Sequence, residues 1–170
     1  MEIKDYQEKS SLIIDQLNLE EYQKELIKQN WLNFVVYLEK RIQKNYLGFN
    51  YLSTIGIIGG ISIPALSSLS LIPEPYSKLT VSILGVITAA SIAVNQSRKY
   101  NEKWRHFRKM VEYARIEGEN FLSLAGKNYA EKSHKDGFPI FFDRLSHVKE
   151  MEINTFFDSI DGINKDKKEK

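Results

Sequence analysis

The sequence predicts an all-α protein made of a two-span transmembrane helical hairpin and a cytoplasmic bundle of about three long helices. Two observations support this prediction. Residues 45–73 and 79–97 contain no Asp, Glu, Lys or Arg, whereas the rest of the chain is dense in these residues. Outside these windows, apolar residues recur at spacings of three and four, which is typical of helices. No alternating strand pattern and no internal repeat is visible.

The composition excludes several classes of function. Lys and Arg number 24 and Asp and Glu 22, so the net charge of +2 does not favour a nucleic-acid-binding protein. The chain has no Cys, which excludes disulfides, thiol catalysis and metal sites held by Cys. The three His residues, His106, His134 and His147, are too scattered to indicate a metal site. We therefore expect no metal, no cofactor and no nucleic-acid partner.

The two charge-free windows are long enough to cross a membrane. Phe49–Leu71 would span about 34 Å as a helix and Leu79–Gln96 about 27 Å, against a hydrocarbon core of about 30 Å. The alternative is a buried helical hairpin in a soluble bundle, but such helices normally keep a charged outer face. Because the first 45 residues are polar, the first window is not a secretory signal peptide.

The basic residues predict the orientation of the hairpin. They cluster before the first span and after the second, whereas the loop between the spans offers Lys78, offset by Glu74. The positive-inside rule then gives a multi-pass protein of the cell membrane with both termini in the cytoplasm. Pro73 and Pro75 are expected to stop helix on both sides of Glu74. Four basic residues are candidates for contacts with lipid head groups: Lys44, Arg98, Lys99 and Arg105.

Helical periodicity also predicts the segments outside the membrane. An N-terminal cytoplasmic helix occupies residues 1–45, the hairpin 46–97, C-terminal cytoplasmic helices 98–160 and a disordered tail 161–170. One apolar stripe comprises Ile27, Trp31, Phe34, Leu38 and Ile42. A heptad-like seam comprises Trp104, Phe107, Val111, Ala114, Gly118, Phe121 and Ala125. Gly126 is expected to end that helix. The following stretch, with Gly137 and Pro139, is predicted to be a loop or a broken helix, after which the last helix begins.

The spans contain no Asp, Glu, Lys, Arg or His, which argues against a proton-coupled transporter and leaves a neutral pore possible. Small and weakly polar residues are candidates either for pore lining or for helix packing: Ser53, Gly56, Gly60, Pro64, Ser67, Thr88, Ser91 and Asn95. Gly56 and Gly60 form a G-x-x-x-G pair, which permits close helix approach. Glu74 would lie at the mouth of a pore, or it is a solvated loop residue.

The soluble helices predict no catalytic site. Glu112, Glu117 and Glu119 are interpreted as surface carboxylates, because no His or Asp constellation accompanies them. No Gly-rich loop follows a strand, so no nucleotide site is visible. We therefore expect a protein that is not an enzyme.

A series of short motifs follows the predicted hairpin. The motifs are Trp104, Phe107 and Arg108, then Glu119 and Phe121, then Gly126 and Tyr129, and finally Glu152 and Phe156. In this order around a hairpin, they resemble the SLATT superfamily of bacterial two-transmembrane domains, and within it a stand-alone family of unknown function. The resemblance covers roughly residues 25–160. The family often has Trp at the position of Phe156. The resemblance implies a pore-forming or membrane-perturbing effector.

Two functions follow as expectations. The first is an oligomeric ion channel or pore-forming effector with a weak preference for monovalent cations. One hairpin is too small to enclose a channel, so conduction would require further copies of the chain. Membrane lipids are the other expected partner. The alternative is a non-conducting, membrane-anchored scaffold or sensor that binds a cytoplasmic protein.

Overall fold

The structure is a computed structural model that describes residues 3–68 and 73–166, with side chains described at 3–68, 73 and 76–153. Every regular element in the described residues is a helix, which confirms the all-α prediction. The helices are α1 (Ile3–Asp15), α2 (Glu21–Ile27), a π-helical segment (Lys28–Leu32), α3 (Asn33–Ser68), α4 (Glu74–Arg98), α5 (Tyr100–Leu122) and α6 (His134–Asp166).

The chain forms two compact units, whose boundaries fall within α3 and α5. Residues 1–39 and 107–170 form the first unit, here called the bundle. Residues 40–106 form the second, here called the hairpin.

The start of α2, in the bundle, is stabilised by residues next to it in the sequence. Glu20 has extended backbone geometry, and its side chain accepts from the backbone of Gln23. The Gln23 side chain in turn accepts from the Glu20 backbone N–H at 3.1 Å. This reciprocal capping box satisfies two donors that a helix start leaves free.

A π-helical segment, Lys28–Leu32, follows α2. Lys28 Nζ lies 2.6 Å from Asp15 Oδ1 on α1, and this interaction raises the pKa of Lys28. Asn30 Oδ1 accepts from Lys149 Nζ on α6 at 3.2 Å. Burial lowers the pKa of Lys149. Side chains of the π-helical segment therefore bond to two other helices of the bundle, α1 and α6.

Trp31 is the central side chain of the bundle core. It is 1% exposed, and its Nε1 donates to the carbonyl of Ala114 on α5 at 2.7 Å. Many residues of the predicted apolar stripe and of the predicted α5 seam are buried within the chain. They include Ile27, Leu38, Ile42, Val111, Ala114, Gly118 and Phe121. The seam of α5 is therefore largely used inside the chain.

Helix α4 begins earlier than predicted. Pro73 is its N-cap and Pro75 lies in its first turn. The backbone N–H of Tyr76 bonds to the Pro73 carbonyl at 3.0 Å, so the predicted loop ends before Tyr76. Proline is tolerated in a first turn because the N–H it lacks would have no helical partner there. The end of the first predicted span, residues 69–71, lies outside the described residues.

Helix α6 also begins earlier than predicted, at His134. Ser133 Oγ accepts from the backbone N–H of Asp136 at 3.2 Å, and this cap fixes the start. Pro139 consequently lies in the second turn, and the prediction of a loop or broken helix at Gly137 and Pro139 is wrong. The helix continues to Asp166, into the segment predicted to be disordered from 161, while residues 167–170 lie outside the described residues.

Two helices are long and apolar enough to cross a membrane, Glu21–Ser68 and Tyr76–Leu122. In their most apolar stretches, only 6% and 11% of the residues are buried within the chain. A core helix of a soluble protein would be mostly buried, because burial of its apolar face is what stabilises it. These stretches therefore present their apolar side chains outward.

Candidate functional site

The two apolar helices of the hairpin pack antiparallel along a seam of small and polar residues. Gly59 faces Thr88 so closely that a Cβ at Gly59 would overlap the Thr88 side chain. Nearer the chain's charged segments, Asn95 Nδ2 donates to Ser53 Oγ at 3.0 Å. Glycine and hydroxyl residues allow the backbones to approach and supply hydrogen bonds where apolar packing gives little net gain.

Thr88, Ser91 and Asn95, three polar residues of the second span, lie at or near this contact between α3 and α4. Thr88 and Ser91 are 8% and 7% exposed. The Ser91 hydroxyl donates to the Ile87 carbonyl at 2.8 Å, which satisfies it within its own helix. Within the single chain Thr88 and Ser91 are buried and Asn95 bonds to Ser53, whereas a role of these residues in lining a pore stays a prediction.

Three other predicted residues face away from the seam. Gly60, Pro64 and Ser67 are exposed, and nothing lies within 4 Å of a Cβ built on Gly60. Gly56 instead contacts Ile92, since a Cβ there would lie 3.2 Å from Ile92 Cγ1. A role of the Gly56–Gly60 pair in close approach to another helix stays a prediction. The close approach uses Gly56 and Gly59, three residues apart.

An aromatic cluster closes the charged end of the hairpin. The rings of Tyr46 and Trp104 meet edge-on with centroids 5.7 Å apart. Gly48 lets the Tyr100 ring pack against the backbone, with a Cβ position 3.2 Å from Cε1. The predicted head-group residues Lys44, Arg98, Lys99 and Arg105 lie in this region of the chain and are all exposed.

Glu74, the predicted mouth residue, is the first residue of α4. Its side chain lies outside the described residues. Its role at a pore therefore stays a prediction.

A polar cluster in the bundle was missed by the sequence analysis. Glu117 is 6% exposed, and its Oε1 accepts from Tyr129 Oη at 2.5 Å and from Arg144 Nε at 2.7 Å. Burial and the bond to Glu117 raise the pKa of Tyr129. The interpretation of Glu117 as a surface carboxylate is therefore wrong. Its position three residues after Ala114 on the apolar seam could have indicated its burial.

The cluster links three parts of the bundle and offers no catalytic arrangement of its own. Glu117 lies on α5, Tyr129 in the following turn and Arg144 on α6. No group of three His, Cys, Asp or Glu that could hold a metal occurs among the residues the structure describes. The Glu117 cluster therefore provides hydrogen bonds and a charge pair that hold α5 and α6 together.

A family model, described as a protein of unknown function (DUF4231), matches residues 33–136. The chain belongs to the DUF4231 family. The match includes the whole hairpin of this DUF4231 protein and continues through α5 into the start of α6. No curated protein and no solved structure matches the chain significantly.

Neighbouring glycines in this DUF4231 hairpin provide a matched test of the seam. Gly59→Leu should separate α3 from α4, because its side chain would overlap Thr88, whereas Gly60→Leu should leave the hairpin intact. The measurement is cross-linking of a cysteine pair introduced at Ser53 and Asn95 in detergent, in a chain that otherwise lacks Cys. Equal cross-linking yields in the two variants would contradict the assigned seam.

Proposed function

We propose that the protein is a two-span integral membrane protein whose hairpins assemble with one another to pass ions. The observation that supports membrane insertion is the outward exposure of both apolar stretches, of which 6% and 11% of the residues are buried. In water this surface would be a strong aggregation hazard, whereas a bilayer solvates it. A helix satisfies most of its backbone groups internally, as hydrocarbon requires, although Pro64 inside α3 supplies no N–H.

The proposed orientation places both termini in the cytoplasm. Basic residues flank the two spans on one side, at Lys44 and Arg98, and the turn at Pro73 offers few charges. In the Cys-free chain, Tyr76→Cys should react with an impermeant thiol reagent applied to intact cells, and Glu150→Cys should react only after lysis. The reverse pattern would overturn the orientation.

Assembly is proposed to use the outward faces of the hairpin. Gly59 and Thr88 already pack against each other between α3 and α4, so they are not free to contact another copy. Much of the apolar seam of α5 is also buried within the chain. Small residues remain exposed on the outer surfaces of the spans: Gly60, Pro64, Ser67, Ser82, Ala89 and Ala93. Such residues permit close contact between helices in lipid, so a ring of hairpins is favoured over a single one.

Conduction would follow a neutral path between copies. The spans carry no Asp, Glu, Lys, Arg or His, so weak selectivity is expected, with a cation preference if Glu74 rings the outer mouth. The resemblance to the SLATT superfamily supports the same role, that of a membrane-perturbing effector. Glu74→Lys should then lower the cation preference, less so at high salt.

Planar-bilayer recording of the purified full-length protein tests conduction. Gly60→Leu should lower both the oligomer mass and the current, because it adds bulk to an outward small-residue face. Ile61→Leu is the matched control, since Ile61 is 70% exposed and the change keeps the side-chain volume. Oligomers of normal mass that pass no current at any voltage would reject the channel.

A membrane-anchored scaffold is the second candidate. One observation favours it: Thr88, Ser91 and Asn95, the polar line that could have lined a pore, pack within the hairpin. The bundle also exposes Tyr22 at 63% and Leu26 at 37%, one helical turn apart, which could contact a protein partner. Absence of current with intact assembly would favour this candidate.

A further inference from the structure

The charged end of the hairpin carries a concentrated set of basic side chains. Six exposed residues form it and are here called the basic collar: Lys40, Lys44, Arg98, Lys99, Lys103 and Arg105. Contacts between Tyr46 and Trp104, and between Gly48 and Tyr100, show that the two collar segments lie side by side. Glu102 is the one acidic residue in segments 40–48 and 98–106. The collar is therefore strongly cationic.

No collar side chain forms an ion pair within the described part of the chain. Two arginines of the bundle, by contrast, are paired with acids. Arg115 lies 2.9 Å from Glu39, and Arg144 lies 2.7 Å from Glu117. Within the described residues, the six collar side chains therefore lack the acidic partners that these two arginines have.

The local backbone adds to the positive potential of the collar. Lys99 has a φ of +50°, which ends α4 and lets a second helix, α5, begin at Tyr100. The amino end of this 23-residue helix lies within the collar. Its macrodipole favours an anion at that end, in addition to the side-chain charges. Arg105 lies over the Trp104 ring at 5.7 Å, which limits its freedom.

We propose that the basic collar binds anionic phospholipid head groups in preference to zwitterionic ones. This inference rests on the membrane insertion proposed above. Each Lys or Arg near a bilayer surface is attracted to anionic lipid, and Arg can bind a phosphate through two parallel hydrogen bonds. Tyr46, 48% exposed beside the collar, has the amphipathic character of residues found at the head-group level.

Native mass spectrometry of the full-length protein in detergent tests the inference. The probes are phosphatidylglycerol and phosphatidylcholine with identical acyl chains. Wild-type protein should retain at least about tenfold more of the anionic lipid, and added salt should lower this ratio. The collar variant is Lys44→Gln, Arg98→Gln, Lys99→Asn and Arg105→Gln together, with Asn chosen because it tolerates positive φ. Its ratio should fall towards one.

The control variant removes equal charge from the bundle, at Lys4, Lys9, Lys127 and Lys132, each changed to Gln, and should keep the wild-type ratio. Equal retention of the two lipids by wild type, or an unchanged ratio in the collar variant, would overturn the inference. Displacement of the lipid by millimolar inorganic phosphate would also overturn it, in favour of a site for free phosphate. Recovery of the chain in the soluble fraction without detergent would instead reject membrane insertion itself.

Discussion

Gly118→Ala is expected to destabilise the bundle by about 2 kcal/mol. Inside a helix, this change normally stabilises by roughly 0.5–1 kcal/mol, because Ala loses less backbone entropy. Here the added Cβ would overlap the indole ring of Trp31. Trp31 is 1% exposed and held by its hydrogen bond to the Ala114 carbonyl, so it has little room to retreat. The sign of the effect therefore reports the close approach of α5 to Trp31.

Thermal unfolding of the full-length protein in detergent, followed by tryptophan fluorescence, measures this effect. The chain has two Trp residues, so a Trp104→Phe background leaves Trp31 as the reporter. Gly85→Ala is the control, because nothing lies within 4 Å of a Cβ built there. A Gly118→Ala protein as stable as the control variant would show that Trp31 does not pack against this helix.

Glu117→Ala is expected to lower the free energy of unfolding by about 3 kcal/mol. The change leaves the buried Tyr129 hydroxyl without its acceptor and Arg144 without its counter-charge. This decrease in stability lies near the lower end of the range for breaking a buried ion pair, because Arg144 is 46% exposed and can turn to solvent. Glu117→Gln should cost less, since an amide oxygen still accepts. Glu119→Ala, on an exposed neighbour, is the control; equal losses at both positions would contradict the burial of Glu117.

The same cluster predicts a dependence on alkaline pH. The pKa of Tyr129 is raised in the folded chain, first by burial and then by its bond to Glu117. The unfolded chain therefore releases this proton first, as pH rises through the ordinary value of 10.0. The contribution of Tyr129 is fully present below that pH and is lost above it. Tyr129→Phe should flatten the alkaline loss of stability in pH-dependent unfolding, and an unchanged slope would contradict the assignment.

Local signals in the sequence account for most of the helices. The starts of α4 and α6 are harder to predict than the helices themselves. Pro75 is typical of a helix breaker until its place in the first turn of α4 is known. Ser133 and Asp136 form the cap at the start of α6, and this cap outweighs the tendency of Gly137 and Pro139 to interrupt a helix. In both cases the residue types were informative, and their position relative to the helix start decided their effect.

The candidate seam could be predicted only in part. The sequence identifies Gly56, Ser53, Thr88, Ser91 and Asn95 as unusual within apolar spans, because small and polar residues are conspicuous there. It does not say which glycine meets the partner helix. Adjacent residues on a helix differ in direction by about 100°, so Gly59 and Gly60 face different surroundings although they are chemically identical.

The sequence by itself determined the helical class and the two apolar segments, because exclusion of charge and helical periodicity are properties of the chain read along its length. Only the tertiary structure decided the partners of individual side chains. Glu117 is buried because Tyr129 and Arg144, distant in sequence, converge on it. Thr88 packs inward because α3 lies against it. Such outcomes depend on which helix faces meet, and this depends on the packing of the whole unit.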